Sequence, residues 1–477
     1  MPNRLAFRDF VRAPVDVLIV GGGITGAGVL LAAAQAGLRV ALIEQRDFAW
    51  GSSSRSSKLV HGGMRYLKYG KVALTALALR ERDRLLHDYP DLTRELRFYL
   101  PYREQAPLAL RAGLRLYDGL AKNHTRANYD AAMLRQTFPF MRNEYAGALS
   151  YIDGQTDDAQ LVLRVLQQAR QLGAVACNYV SAMQALMSSN GISGAAVADA
   201  LSGEQYEIKA RVVVNAAGAW ATQWLRHNAP RSLRKLKIKP LRGSHLVLPF
   251  HRLPLTQAMA IMHPVDERPM FALPWGGEVI FGTTDVEHVD DLHNEPRISA
   301  TEFDYLMDAL RRQFPSLNLD SNDVISTYAG VRPTIDDGHF NATEISREHC
   351  IAEQTGLITI AGGKLTTFRH MAAQIIKRVV KQLHQPTTAA QKIINPSNAP
   401  FNNHRDPLAG LQQDVIHLDD WMLRRTHFGL MSENGGIEHL SKFRHAICQR
   451  LQWDEARWHT ELTRYQQIYQ SAYAKPG

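Results

Sequence analysis

Between Ser53 and Tyr66 the chain reads SSRSSKLVHGGMRY, which gathers hydroxyls, a lysine, a histidine, two adjacent glycines, an arginine and a tyrosine in one short segment. Hydroxyls and backbone N–H groups suit phosphate oxygens. Gly62 and Gly63 let backbone approach a flat ring closely. Arg65 and Tyr66 can then project toward an anionic substrate. The expected contacts of this segment to a bound cofactor are Ser53, Ser54, Ser57, Lys58, Leu59, His61, Gly62 and Gly63.

A second group precedes it. Gly21-x-Gly23-x-x-Gly26 follows an apolar run, Val15 to Val20, and opens a helical pattern. The first glycine permits the tight turn, the second lets backbone reach a pyrophosphate, and the third lets helix and strand pack closely. The phosphates belong at the helix N-terminus, where N–H groups and the dipole favour negative charge. Glu44 ends the next strand, at the spacing of an acid that binds a ribose hydroxyl. Gly21, Gly23, Ile24, Thr25, Gly26, Glu44 and Gln45 are therefore expected at a dinucleotide.

Only one such fingerprint occurs, which favours FAD over a nicotinamide-driven reductase. Two further segments fit a flavin. VVVNAAGAW, Val212 to Trp220, is a strand ending in small residues, with Ala217, Gly218 and Trp220 as expected contacts. LITIAGGKLTTF, Leu357 to Phe368, is a strand, a glycine turn and a helix start, with Gly363, Lys364, Leu365 and Thr366 as contacts. A helix beginning near Lys364 aims positive charge at the pyrimidine end of the ring.

Together these stretches resemble the FAD-dependent, quinone-linked glycerol-3-phosphate dehydrogenases, within the glycine- and D-amino-acid-oxidase-like flavoproteins. The resemblance rests on GGGITGAG, SSRSSKLVHGGMRYL, DGQTDDAQLVL, NAAGAW, RGSHLVL, PWGGEVIFGTTD, YAGVRP and GGKLTTFR, in order over residues 15–385. It implies oxidation of sn-glycerol 3-phosphate to dihydroxyacetone phosphate, with electrons passing through FAD to a membrane quinone. A histidine is the natural base near neutral pH. His245 is favoured for that role, with His61 second. Arg65, Tyr66, Arg332, Lys364 and Thr367 form the expected substrate rim, and Arg332 is a further catalytic candidate for the developing alkoxide. The alternative is a related FAD oxidase or dehydrogenase with another hydroxy- or amino-substrate and a different acceptor.

These groups need a scaffold. The predicted fold is α/β: a Rossmann-like FAD-binding domain, an inserted antiparallel substrate domain and a short C-terminal helical domain. Residues 14–95, 146–235 and 331–385 are assigned to FAD binding, 96–145 and 236–330 to the substrate cap, 386–406 to a linker and 407–477 to the helical part. Strands are expected at Leu96–Tyr102, Ser244–Leu248, Ala258–Met262, Met270–Pro274, Glu278–Gly282 and Asp323–Tyr328. Trp421, Trp453, Trp458, Tyr465 and Tyr469 are the expected anchors of the tail. That tail is shorter than the resemblance implies.

Lys plus Arg total 55 against 46 acidic residues, a formal charge of +9 that favours an anionic partner. RSLRKLKIK, Arg231 to Lys239, concentrates cations, and with the resemblance it predicts peripheral attachment to the cytoplasmic face of the inner membrane. A homodimer is also expected. No basic stripe interleaved with aromatics points to nucleic acid. The three cysteines form no metal-ligand or disulfide pattern, consistent with a cytoplasmic setting. No apolar leader is read at the N-terminus, and no metal site is expected.

Overall fold

Val15–Val20 is apolar on both faces and becomes an interior parallel strand, as a strand covered by helices on each side must be. It pairs with Val40–Ile43 on one side and Gln205–Asn215 on the other, both parallel. Leu357–Gly362 and Val175–Cys177 extend the parallel set outward. The computed structural model describes residues 2–122, 125–228, 236–336, 349–385, 407–412 and 414–476. The expected linker 386–406 and residues 231–235 of the basic run lie outside them.

Helix Ile24–Gln35 crosses the sheet and packs against helices Asp158–Gln171 and Phe368–Gln382. Its glycines make the approach possible. A Cβ on Gly26 would stand 1.9 Å from the Gly21 carbonyl oxygen, and one on Gly28 would stand 2.6 Å from the Phe368 ring. Ile24, Val29 and Leu30 are buried there, each contributing roughly 1.5–3 kcal/mol.

The second sheet has ten strands and is mostly antiparallel. Ile238–Leu248 lies between Ser326–Ile335 and Glu278–Gly282, followed outward by Pro269–Trp275, Ala258–Met262, Thr93–Tyr102 and Gly147–Thr156. Helix Ala300–Gln313 covers it, started by a Ser299–Glu302 capping box. Three details differ from expectation. The strand expected at 323–328 begins only at Ser326, because the Asp320 side chain caps a 3-10 turn at Ser321–Asp323, and it runs on to Ile335. The strand expected at 244–248 starts at Ile238. Gly147–Thr156, which the division of the chain gives to FAD binding, is hydrogen-bonded into this second sheet along the whole of Thr93–Tyr102.

The C-terminal residues fold as helices around buried Trp421, Trp458, Tyr465 and Tyr469, with Trp453 half-buried. This unit is joined to the first sheet by charge. Arg424 and Arg425 both pair with Asp47, and Arg424 also bonds Asp419 at 2.9 Å and Asp420 at 2.7 Å. Among the described residues no helix is long and apolar enough to cross a membrane.

Candidate active site

A cavity of about 1650 Å³ runs between the two sheets. That exceeds the ~300–1,000 Å³ of an ordinary small-molecule site and leaves room for a dinucleotide with a substrate beside it. One end is the glycine turn. Gly21, Gly23, Ile24, Thr25, Glu44 and Gln45 line it, followed by Ser53, Ser57, Leu59, His61 and Gly63. Ala217, Gly218 and Trp220 form another wall, and Gly363, Lys364, Leu365 and Thr366 close the far side.

Local geometry explains these positions. Glu44 accepts from the Gly22 N–H at 2.6 Å and the Arg46 N–H at 2.9 Å, and burial pushes its carboxyl up from the ordinary range. Ser53 Oγ accepts from Ile24 N–H at 3.0 Å, so a hydroxyl already meets the helix N-terminus where an anion belongs. The His61 N–H donates to Thr366 Oγ1 at 3.1 Å, which ties the Ser53–Tyr66 segment to the glycine turn before Lys364. The Lys364 ammonium lies over the Tyr66 ring, 3.5 Å from its centroid. A side chain on Gly63 would collide with Tyr66 at 2.2 Å.

A row across the second sheet backs the cavity, with Phe271 at the wall. Phe271 opposes Gly282, Gly282 opposes His245, and His245 opposes Tyr328. The His245 ring stacks on Tyr328 at 4.5 Å. Farther along, Arg332 crosses Gly243, where any Cβ would stand 2.2 Å from the guanidinium. Its Nη1 pairs with Asp285 Oδ1 at 3.0 Å, and its Nη2 donates to Thr283 Oγ1 at 3.1 Å. The next residue anchors that turn: Thr284 Oγ1 donates to Glu302 Oε1 at 2.6 Å, beside the buried Arg242–Glu302 pair. Thr283 and Asp285 belong to the GTTD motif and carry roles the sequence reading did not give them. Arg268, also on the cavity wall, was missed entirely, because only strand register brings it here.

Six expected residues do not line the cavity. Gly26 serves helix packing. Lys58 is fully buried, with φ of +57°, and turns away to Asp158 Oδ1 at 2.7 Å and the Ser54 carbonyl at 2.6 Å, so Lys58 and Ser54 shape the loop from behind. Gly62 faces Tyr117 and Leu79, its N–H held by Asp153 Oδ1 at 3.2 Å. Thr367 is buried and bonds the Lys364 carbonyl at 3.4 Å. His245 stands one layer back: its Nε2 shares a 2.8 Å hydrogen bond with Ser57 Oγ, and Ser57 is the group at the wall. His61 is the imidazole that lines the cavity. The backbone of Arg65 starts a short helix, Arg65–Lys68, while its side chain lies outside the described residues.

Comparison with known proteins decides the family. Residues 16–369 match the model of the FAD dependent oxidoreductase family. The aerobic glycerol-3-phosphate dehydrogenase of Staphylococcus haemolyticus is 38% identical over 379 residues, 78% of this chain and 68% of that protein. The Staphylococcus aureus enzyme is 38% identical over 377 residues, 77% of this chain and 67% of its own. The chain belongs to the FAD-dependent glycerol-3-phosphate dehydrogenase family. The crystal structure of the Bacillus halodurans family member with FAD superposes with a TM-score of 0.75 at 26% identity, over 98% of this chain and 96% of that one. The helical tail thus falls within the likeness. An L-α-glycerophosphate oxidase from Mycoplasma pneumoniae shares the fold, with a TM-score of 0.61 at 17% identity.

As a member of this family the protein uses FAD, and the cavity suits that group on its own terms. The helix N-terminus and Glu44 match a diphosphate and a ribose, Gly63 leaves space beside Tyr66, and the turn at Gly363 and Lys364 offers positive charge to the ring. Burial, with help from Arg332 and Lys58, holds the His245 pKa well below its ordinary 6.5. The folded protein therefore keeps His245 neutral, while the unfolded chain takes up a proton below about pH 6.5. Stability should fall as pH drops through that value, by on the order of 1 kcal/mol over the first pH unit below it. Urea unfolding at pH 7.5 and 5.5 checks this: His245→Gln should lose less stability between the two pH values than the unaltered chain.

Proposed function

We propose that the protein oxidises sn-glycerol 3-phosphate to dihydroxyacetone phosphate. The observation that carries this reading is the grouping of Arg332, Lys364 and Tyr66 around the same cavity as the dinucleotide loop. Cations with fork geometry suit a phosphate. Bound FAD supplies the two-electron acceptor. The chain's own residues do the rest. Arg332, Lys364 and the Tyr66 hydroxyl hold the phosphate and so orient the secondary alcohol. His61 takes the hydroxyl proton as the carbon gives up hydride. His245 keeps Ser57 aligned from behind the wall.

A lipid-soluble quinone is the proposed final acceptor. Helix Leu108–Ala121 brings Leu110 and Leu116 to the cavity wall, joined by Phe98, Leu100 and Met64. Leu116, Tyr69 and Met262 are exposed where they line the cavity, Leu108 at the start of the same helix is 82% exposed, and Arg111 and Arg115 on that helix face solvent. An apolar rim flanked by cations suits an anionic membrane surface. This complements the basic run near residue 231, of which Lys239 pairs with Glu287 at 3.4 Å.

The test is a product assay on the FAD-loaded protein with a soluble electron acceptor. One dihydroxyacetone phosphate should form per glycerol 3-phosphate consumed. Turnover of amino acids or unphosphorylated hydroxy acids in its place would contradict the reading. Leu108→Glu with Leu116→Glu should reduce binding to anionic vesicles by about tenfold or more, given ~1.5–3 kcal/mol lost per large apolar contact, as read by co-sedimentation.

A further inference from the structure

We propose that Arg268 is a second guanidinium for the substrate's phosphate, held beside Arg332 by a shared carboxylate, Asp285, and that this array selects a phosphorylated alcohol over a carboxylate. The inference rests on the reading of the site given above.

Two paired strands bring Arg268 and Asp285 together. Phe271 and Gly282 oppose each other in adjacent antiparallel strands. That pair is the last of the two strands; Arg268 immediately precedes Pro269–Trp275, and Asp285 follows Glu278–Gly282 by three residues, so both flank the same end of the paired strands. The side chains follow: Arg268 Nη2 is 3.7 Å from Asp285 Oδ2, while Arg332 Nη1 is 3.0 Å from Oδ1. One carboxylate thus carries a guanidinium on each oxygen. The Asp285 side chain is 1% exposed, so its charge is not screened by bulk water. It offsets the repulsion between the two arginines and fixes where each fork points.

The three-residue array is itself net positive, and Asp266 and Glu267 line the cavity next to it. Two guanidiniums and one carboxylate sum to +1, and Arg268, Asp285 and Arg332 all line the cavity. Arg268 Nε is buried without a hydrogen-bond partner. A guanidinium presents five N–H donors, so one edge can rest on Asp285 while others remain for a ligand. A carboxylate ligand offers two oxygens and one charge, which a single fork satisfies. A phosphate monoester offers three terminal oxygens and up to two charges, which two forks satisfy better.

Flavin reduction by glycerol 3-phosphate under anaerobic stopped flow, with FAD content and thermal midpoint read on each variant, tests this. Arg268→Met should raise the half-saturating substrate concentration by about tenfold or more, as loss of a charge-assisted hydrogen bond requires, with a smaller change in limiting rate. Inorganic phosphate, used as a competitor, should weaken by a similar factor. Arg268→Lys, which keeps the charge and loses the fork, should fall between. If Arg268→Met does not load FAD, Arg268→Gln carries the same expectation. Half-saturation and phosphate inhibition both within about twofold of the unaltered protein would overturn the proposal, as would a fall in limiting rate alone. Failure of the unaltered protein to be reduced at all would instead overturn the substrate reading.

Discussion

Arg332→Ala is expected to lower kcat/KM for glycerol 3-phosphate by about 10- to 150-fold. That corresponds to roughly 1.5–3 kcal/mol, the worth of a hydrogen bond to a charged group. The size follows from its setting. The Arg332 guanidinium is braced by Asp285, Thr283 Oγ1 and the Thr284 carbonyl, and lies over a glycine that leaves it room. Its orientation is thus prepared before substrate arrives, and little further ordering is needed on binding. Removing it also leaves the buried Asp285 with less compensation, so a modest loss of stability should accompany the kinetic loss. Steady-state kinetics with FAD content as control checks the point. Unchanged kinetics would remove Arg332 from the site.

Arg425→Met should cost about 3–5 kcal/mol of stability, the usual penalty for breaking one side of a buried ion pair. Asp47, Arg424 and Arg425 are all essentially inaccessible to solvent. Arg425 contacts Asp47 at 2.5 Å and 2.7 Å through two nitrogens. Burial beside Asp47 and Asp419 pushes Asp420 up to about 6, while Arg424 and Arg464 hold Asp419 down at about 2 against its burial. A missing guanidinium therefore leaves excess negative charge in a dry region. Adding Asp47→Leu to Arg425→Met should recover part of the loss, because one carboxylate fewer is then buried against Arg424, which keeps Asp419 and Asp420 as partners. Urea unfolding of the single and double variants tests this, and equal stability for Arg425→Met and the unaltered chain would contradict it. Asp47 lies three residues past Glu44, so the same variant reports on how firmly the tail braces the cofactor loop.

What the sequence made legible was local. The glycine turn, the Glu44 spacing and the Gly363–Lys364 turn are each read within a few residues, and each lies on the cavity. The same reasoning misplaced Lys58, since a lysine within a cofactor-wrapping segment resembles a phosphate ligand until the left-handed turn and Asp158, a hundred residues away, are known. His245 had the right chemistry but not the right depth, because strand register and the Ser57 hydroxyl decide which atom reaches the wall. Arg268 and Asp285 become neighbours only through the pairing of two strands. The docking of Arg424 and Arg425 on Asp47 spans most of the chain and leaves no periodic signal in it.

The most direct test of the central claim is anaerobic addition of glycerol 3-phosphate to the purified yellow holoenzyme. Stoichiometric loss of the oxidised flavin's visible absorbance is expected, with release of one dihydroxyacetone phosphate per FAD. A spectrum that stays unchanged at saturating glycerol 3-phosphate, in protein whose flavin is still reducible by a chemical reductant, would contradict it.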